Sequence, residues 1–186
     1  MRTRSGTRER DASMEHLKEK IRHVPDFPKP GILFYDITTL LRDPVGLGEA
    51  LDALANPFID QGIDLVVGIE SRGFIFGAAV ADRLKTGFVP VRKPGKLPAR
   101  TIQQSYDLEY GSDTLEMHHD AIEPGQRILI VDDLLATGGT ARACVDLVRG
   151  AGGHVASLAF LVELQFLNGR ARLGDIPMFV ALQYSS

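Results

Sequence analysis

Apolar residues in this chain are concentrated in four short runs, at residues 65–69, 88–91, 128–131 and 155–162. Nearly continuous apolar character over such lengths is typical of strands that are covered on both faces. The segments at 74–84 and 140–151 follow the first and third runs and are predicted to be helical. Repeated strand and helix units predict an α/β fold with an open, mainly parallel sheet flanked by helices. Ligands bind beyond the carboxyl ends of such strands, so we expect the functional site in the loops there.

The first third of the chain predicts two helices joined by an extended segment. Leu17, Ile21 and Val24 recur at helical spacing before a group of prolines. Ser13 is a suitable N-cap for this short helix. Residues 43–61 predict a second helix, with one apolar face and a glycine as its stop.

A strict alternation of polar and apolar residues at 105–110 departs from the buried runs and predicts a strand with one exposed face. Residues 111–113 are predicted to form a turn, and Leu115 and Met117 continue on a return strand. We therefore expect a β-hairpin, from about residue 98 to 121, that forms an arm over the end of the sheet where the site lies.

Composition and charge fit an ordinary globular protein of 186 residues, with 44% hydrophobic and 24% charged residues. We expect one domain over residues 14–186 and a disordered extension at 1–13, which is rich in arginine and has no apolar stretch. The net charge of −3 provides no basic field, so neither nucleic acid nor an anionic membrane surface is an expected partner. No apolar run approaches the ~18 residues of a membrane span. The single cysteine, Cys144, fits a reducing, cytoplasmic setting and is predicted to lie in the core.

The most informative residues follow the third apolar run. Asp132 and Asp133 stand at the end of the predicted strand, and a glycine- and threonine-containing loop at 136–140 then opens a helix. Unpaired N–H groups at a helix N-terminus, together with threonine hydroxyls, form a site for an anion. Carboxylates accept hydrogen bonds, so sugar hydroxyls or a hydrated Mg²⁺ are their natural partners. Neither the Walker A pattern nor G-x-G-x-x-G occurs, which argues against P-loop and Rossmann-type dinucleotide sites.

This segment, ILIVDDLLATGGT, resembles the 5-phosphoribosyl-1-pyrophosphate (PRPP) motif of the type I phosphoribosyltransferases, and its ending is similar to that of the adenine-using members. Four further segments resemble the same family in the same order: FPKPGILFYDIT at 27–38, GIESRGF at 68–74, RKPGKLP at 92–98 and SYDLEYG at 105–111. The match extends from about residue 14 to the end of the chain. It implies the type I phosphoribosyltransferase fold, with the hairpin as a lid and a small N-terminal hood that binds the base.

The resemblance implies a reaction in which N9 of adenine displaces pyrophosphate from C1 of PRPP and gives AMP. The 5′-phosphate would be held by Ala136, Thr137, Gly138, Gly139 and Thr140. The ribose hydroxyls would be held by Asp132 and Asp133, which also lie where carboxylates stabilise a ribosyl oxocarbenium-like transition state. The leaving pyrophosphate would be bound by Glu70, Ser71 and Arg72, where the family has a cis peptide, and by Arg92, Lys93 and Lys96.

The resemblance also implies residues for the base. Glu109, on the polar face of the arm, corresponds to a glutamate that approaches N7 of adenine and assists nucleophilic attack. The purine would lie against Leu33, Phe34 and Leu164, which are otherwise core residues. Tyr35 departs from the family, which usually has arginine there, so base affinity or the handling of Glu109 can differ in this chain.

Mg²⁺ is the implied cofactor, held mainly by PRPP and water rather than by protein side chains. The family is dimeric, so the implied assembly is a homodimer. Two alternatives stay open: a xanthine or other purine phosphoribosyltransferase, and a PRPP-sensing regulator without activity. Ala136 favours adenine, because relatives that use 6-oxopurines place an acid there. The acidic, short chain argues against the regulator, which needs a DNA-binding domain or a basic face.

Overall fold

The computed structural model of the chain describes residues 14–107 and 111–185. The chain divides into two compact units, with the boundary between Ala53 and Leu54. The predicted disordered extension at 1–13 lies outside the described residues. This division does not decide whether residues 14–186 are one domain, and that expectation stays a prediction.

The first unit contains an antiparallel hairpin and helices. A 3-10 helix, Glu15–Lys20, leads to strand β1 (Arg22–Pro25), which pairs with strand β2 (Leu33–Asp36). Helix α1 (Thr38–Arg42) follows, and helix α2 (Pro44–Ala55) crosses the boundary at Ala53 and continues as a 3-10 turn, Asn56–Phe58, in the second unit. The predicted second helix is therefore shorter than expected, because Pro57 has no N–H to continue the helical hydrogen bonds.

The prediction of a first helix that includes Ile21 and Val24 is wrong. The helix is a single 3-10 segment that ends at Lys20, and Val24 lies on β1 opposite Phe34. The strand pairing uses the backbone groups that a longer helix would need for its own hydrogen bonds. The hydroxyl of Thr39 donates to the carbonyl of Lys20 at 2.6 Å, which satisfies a backbone acceptor at the end of the helix.

The second unit is built on a five-stranded parallel sheet, which confirms the predicted α/β class. Its strands are β3 (Leu65–Ile69), β4 (Gly87–Val91), β7 (Arg127–Leu135), β8 (His154–Leu164) and β9 (Met178–Tyr184), in the order β4-β3-β7-β8-β9. Helices α3 (Arg72–Leu84) and α4 (Gly139–Gly150) follow β3 and β7. The four apolar runs correspond to four neighbouring strands of this sheet, β4, β3, β7 and β8. Strand β9 was not predicted, because it lies at an edge and is only partly buried.

Strands β5 (Thr101–Asp107) and β6 (Ser112–His118) form the predicted antiparallel hairpin. Asp113 pairs with Tyr106, so Asp113 lies on the return strand and not in the turn, where the sequence placed it. The turn instead includes Gly111, whose φ of +86° suits glycine. Leu108, Glu109 and Tyr110 lie outside the described residues.

Helix α3 packs closely on the sheet because glycines face a phenylalanine ring there. A Cβ atom at Gly68 on β3 would lie 2.7 Å from Cε2 of Phe88, and one at Gly77 on α3 would lie 2.8 Å from the same atom. The ring of Phe88 therefore fills the space that two absent side chains leave. On the other helix, Cys144 is fully buried, as predicted.

None of the helices in the described ranges combines the length and the apolar character that crossing a membrane demands.

Candidate active site

A cleft of about 450 Å³ lies at the carboxyl ends of β3 and β7, where loops of a parallel sheet gather. It is lined by residues 70–72 and 132–141, together with Lys93 and Tyr106. These segments include every residue predicted for the ribose and the 5′-phosphate. The peptide bond between Glu70 and Ser71 is cis, as expected for this loop.

Two carboxylates lie where β7 reaches the cleft. The Oδ2 atom of Asp133 is 2.8 Å from Nε of Arg72, the first residue of α3. The Oδ1 atom of Asp132 accepts a hydrogen bond from the backbone N–H of Asp133 at 2.9 Å. Gly73 gives α3 room here, because a Cβ at that position would lie 2.7 Å from Oδ1 of Asp132. The first turn of α3 thus fits against both acids.

Burial raises the pKa of both carboxyl groups. For Asp132 the negative charge of Asp133 adds to the effect of burial, and the pKa lies well above the usual value. For Asp133 the Arg72 guanidinium opposes the rise in pKa that burial causes. Two crowded carboxylates of this kind favour a ligand that donates hydrogen bonds or develops positive charge beside them.

The loop at residues 136–140, called the phosphate loop below, connects β7 to α4. Gly138 precedes the helix with a φ of +80°, a conformation that favours glycine. No side chain among the described residues caps α4. The N–H groups of its first turn therefore have no partner within the helix, and they belong to residues that line the cleft. A helix N-terminus in this state is suited to a phosphate group.

The basic residues after β4 divide into two groups. Lys93 lines the cleft, whereas Arg92 and Lys96 are not among its lining residues, and the assignment of all three to the pyrophosphate stays a prediction. Arg92 forms an ion pair within the protein, in which it donates two hydrogen bonds of 3.2 Å to Glu70. The Arg92 guanidinium also holds the pKa of the Glu70 carboxyl below its usual range.

Lys93 has its own acidic partner on the hairpin. Its ammonium group pairs with Asp113 and lies 3.4 Å from the hydroxyl of Tyr106. The hydroxyl of Thr140 in turn donates to Tyr106 at 3.3 Å. Sequence reasoning missed both Tyr106 and Asp113 as site residues, because their placement depends on the register of the hairpin. The alternating pattern through Tyr106 was the signal that could have found that residue.

The residues predicted for the base lie in different surroundings. Leu33, on β2, is 41% exposed and is not a core residue. Phe34 is partly buried and stacks edge-to-face on Phe27 with ring centroids 5.1 Å apart. Leu164 ends β8 and is buried. Glu109 lies outside the described residues.

Tyr35, where the family usually has arginine, is buried and contacts His23 edge-to-face at 5.1 Å. Burial raises the pKa of its phenol, so Tyr35 is neutral at physiological pH. A neutral, buried ring therefore stands where the resemblance implies a charged side chain.

Comparison with known proteins identifies the family. The model of the family described as phosphoribosyl transferase domain matches residues 47–175. An adenine phosphoribosyltransferase from Acidobacterium capsulatum is 67% identical over 171 residues, which are 92% of this chain and 94% of that protein. One from Koribacter versatilis is 58% identical over 170 residues, covering 91% of this chain and 93% of that protein.

Solved structures agree with the sequence relatives. The adenine phosphoribosyltransferase from Thermoanaerobacter pseudethanolicus has a TM-score of 0.89 and 50% identity, over 92% of this chain and 99% of that one. The Saccharomyces cerevisiae enzyme, complexed with adenine and an imino-altritol bisphosphate, has a TM-score of 0.86 and 42% identity, over 92% and 99% of the two chains. The chain therefore belongs to the adenine phosphoribosyltransferases, within the phosphoribosyltransferase family.

Proposed function

We propose that this protein transfers the 5-phosphoribosyl group of PRPP to N9 of adenine, giving AMP and pyrophosphate in purine salvage. The observation that carries the proposal is the cleft, in which the N-terminus of α4 lies beside Asp132 and Asp133. Such a pairing of an anion site with hydrogen-bond acceptors suits a ribose 5-phosphate.

The phosphate loop binds the 5′-phosphate through the N–H groups at the start of α4 and the hydroxyls of Thr137 and Thr140. Asp132 and Asp133 accept hydrogen bonds from the 2′- and 3′-hydroxyls. As the bond at C1 breaks, positive charge develops on the ribose ring, and the two carboxylates stabilise it. Arg72 holds Asp133 in position through their 2.8 Å ion pair and opposes the rise in its pKa that burial causes.

The pyrophosphate leaves toward Ser71, Arg72 and Lys93, which line the same cleft, and the cations there offset its charge. Arg92 and Lys96 contribute from outside the lining, through Glu70 and the local field. Mg²⁺ is the proposed cofactor. The described residues contain no cluster of three His, Cys, Asp or Glu side chains that could hold a metal. We propose that the ion takes most of its ligands from PRPP oxygens and water, and that it neutralises pyrophosphate when bound.

For the base we propose Leu33, Phe34 and Leu164 as the apolar contacts of adenine and Glu109 as the residue that hydrogen-bonds N7. The exposed position of Leu33 supports a binding role over a packing role. We further propose that the protein acts in the cytoplasm as a homodimer. Apolar side chains that stand exposed in the second unit, such as Ile75 and Phe166, support an interface between copies.

The test of this function incubates the protein with PRPP and Mg²⁺ and one base at a time: adenine, hypoxanthine, guanine or xanthine. Formation of AMP alone is the expected result. A 6-oxopurine nucleotide as the main product would contradict the base specificity, and binding of PRPP without product from any base would favour the sensor alternative.

Glu109→Gln tests the proposed role at N7. We expect kcat to fall by at least about 100-fold, with a smaller change in the KM for PRPP, because general acid–base groups contribute about that much. Glu123→Gln, at an exposed carboxylate before β7, is the control and should leave kcat unchanged. A variant Glu109→Gln with normal kcat would contradict the assignment.

A further inference from the structure

We propose that Arg170 and Glu163 are positioning residues that hold the phosphate loop in its binding conformation through the turn at residues 165–172. The inference rests on the proposed function, in which this loop binds the 5′-phosphate. Neither side chain lines the cleft, so both act through the backbone of the turn and not by touching substrate.

In the ion pair between these residues, the acidic partner is buried. Glu163, near the end of β8, is 2% exposed. Its oxygens accept hydrogen bonds of 2.6 and 2.7 Å from Nε and Nη2 of Arg170, in the fork geometry that a guanidinium and a carboxylate share. Gln183 on β9 donates a further bond at 3.1 Å. A buried carboxylate this well bonded holds its partner in one place, because a charge left alone there is strongly unfavourable.

The residue next to Arg170 contacts the phosphate loop directly. Gly169 is buried, and its backbone is so close to the loop that a Cβ at Gly138 would overlap the carbonyl oxygen of Gly169. A Cβ at Gly169 would overlap the carbonyl oxygen of Ala136 and lie 3.1 Å from the backbone nitrogen of Gly138. Two glycine backbones therefore pack against each other, and the position of one fixes the position of the other.

These contacts form a continuous chain from the sheet to the loop. Glu163 is fixed by β8, Arg170 is fixed by Glu163, and Gly169 is fixed by its neighbour Arg170. The phosphate loop then rests on Gly169. Because phosphate binding depends on N–H groups that already point at the anion, a small shift of the loop weakens binding of any ligand with a 5′-phosphate. In the proposed function inorganic pyrophosphate binds at Ser71, Arg72 and Lys93, which belong to other segments of the cleft, so we expect its binding not to depend on this support.

The test compares Arg170→Gln with Arg172→Gln, an exposed arginine in the same 3-10 helix for which the structure gives no partner within the described residues. Calorimetric titration measures the dissociation constants of AMP and of inorganic pyrophosphate for each variant. We expect Arg170→Gln to raise the dissociation constant of AMP about tenfold and to leave that of pyrophosphate within about twofold. Arg172→Gln should change neither, and Arg170→Lys, which keeps the charge but loses the fork, should fall between.

A second pair of variants tests the backbone contact itself. Gly169→Ala should weaken AMP binding in the same selective way, whereas Gly150→Ala, with open space around its Cβ position, should not. The proposal is overturned if Arg170→Gln binds AMP normally, or if it weakens AMP and pyrophosphate equally along with a lower Tm, as a general loss of structure would. If Arg170→Gln does not fold, Arg170→Lys and Gly169→Ala decide between these outcomes. A wild-type protein that forms no AMP refutes the proposed function instead.

Discussion

Asp132 is suited to bind substrate, but its buried negative charge opposes folding. Its carboxyl has a raised pKa, as has that of Asp133, so the folded protein binds more protons than the unfolded chain at pH values between the unfolded and folded pKa. Stability therefore falls as pH rises through that window, and the loss is complete above the folded pKa. A ligand that donates hydrogen bonds to these carboxylates offsets the unfavourable charge.

The substitution Asp132→Asn should separate stability from activity. The amide oxygen can still accept the backbone bond from Asp133, while the buried charge is removed. We expect the Tm at pH 7.5 to rise by about 2–4 °C, the size of a 1 kcal/mol gain in a protein this long. The gain should vanish near pH 4, where the native carboxyl is protonated. AMP formation should fall about 10- to 100-fold, as on loss of a charged hydrogen bond. A lower Tm at pH 7.5 would contradict the argument.

Asp113 forms an ion pair with the ammonium group of Lys93, which is proposed to bind pyrophosphate. Burial acts to lower the pKa of Lys93, but the hydrogen bonds that its ammonium group donates to Asp113 and Tyr106 outweigh that effect and raise the pKa. Asp113→Asn removes the competing charge, so we expect pyrophosphate to inhibit about three- to tenfold more strongly, measured by its inhibition constant against PRPP. Asp120→Asn, on the exposed turn after β6, is the control and should have no effect. Weaker inhibition by pyrophosphate in Asp113→Asn would refute the competition.

Among the elements, the hairpin of β5 and β6 contacts the segment after β4 through the backbone pair of Arg92 with Glu116, through the Lys93–Asp113 ion pair and through the buried side chain of Glu116. Glu116 is 2% exposed and accepts hydrogen bonds from the backbone of Lys96 and Leu97. Its other oxygen accepts from the side chains of Thr101 and Gln103. Burial acts to raise the pKa of Glu116, and these bonds outweigh it and lower the pKa below the ordinary value. The carboxylate thus joins the lid to the loop that carries Lys93.

Glu116→Gln should loosen this attachment. Its amide NH₂ would face the donor group of Gln103, so a buried donor loses its acceptor, which costs about 1–3 kcal/mol. Hydrogen exchange should accelerate across 101–118. The wild-type contribution is present above the ordinary glutamate pKa and lost as pH falls through the folded pKa, so the stability of Glu116→Gln should depend less on acid pH. Glu123→Gln should match the wild type. Unchanged exchange in the hairpin would contradict the proposed attachment.

The pattern of apolar residues predicted the strands that are buried on both faces. The apolar runs gave β3, β4, β7 and β8 because a strand covered on both faces has no polar positions. Val24 was assigned to a helix because its spacing from Leu17 fits one, although pairing with Phe34 decides its conformation. The pair of Glu163 and Arg170 could not be found from sequence, because its partners meet only after the turn between them folds.

For the whole molecule, the order β4-β3-β7 explains how much of the site the sequence could predict. Motifs far apart in the chain end on neighbouring strands, so Glu70, Arg92 and Asp133 gather at one edge of the sheet. The sequence could therefore predict which motifs lie near the site, because each motif comes directly after a strand. The pairings within it, Arg92 with Glu70 and Lys93 with Asp113, depend on side-chain geometry that no spacing contains.

The proposed homodimer makes a prediction about mass. Sedimentation equilibrium at micromolar concentration should give twice the chain mass of 20.3 kDa. Exposed apolar side chains of the second unit, such as Ile75 and Phe166, are candidates for burial in that assembly. A species at the mass of one chain, with full activity, would refute the assembly without affecting the proposed chemistry.

The ring of Phe88, set between Gly68 and Gly77, also limits how this family can diverge. A methyl group at either glycine is obstructed while the phenylalanine remains, so Gly77→Ala alone should be destabilising. If a smaller residue replaces Phe88 first, the same change becomes tolerable. The order of substitutions therefore matters. Among descendants of this sequence, substitutions at Gly68, Gly77 and Phe88 should be correlated rather than independent.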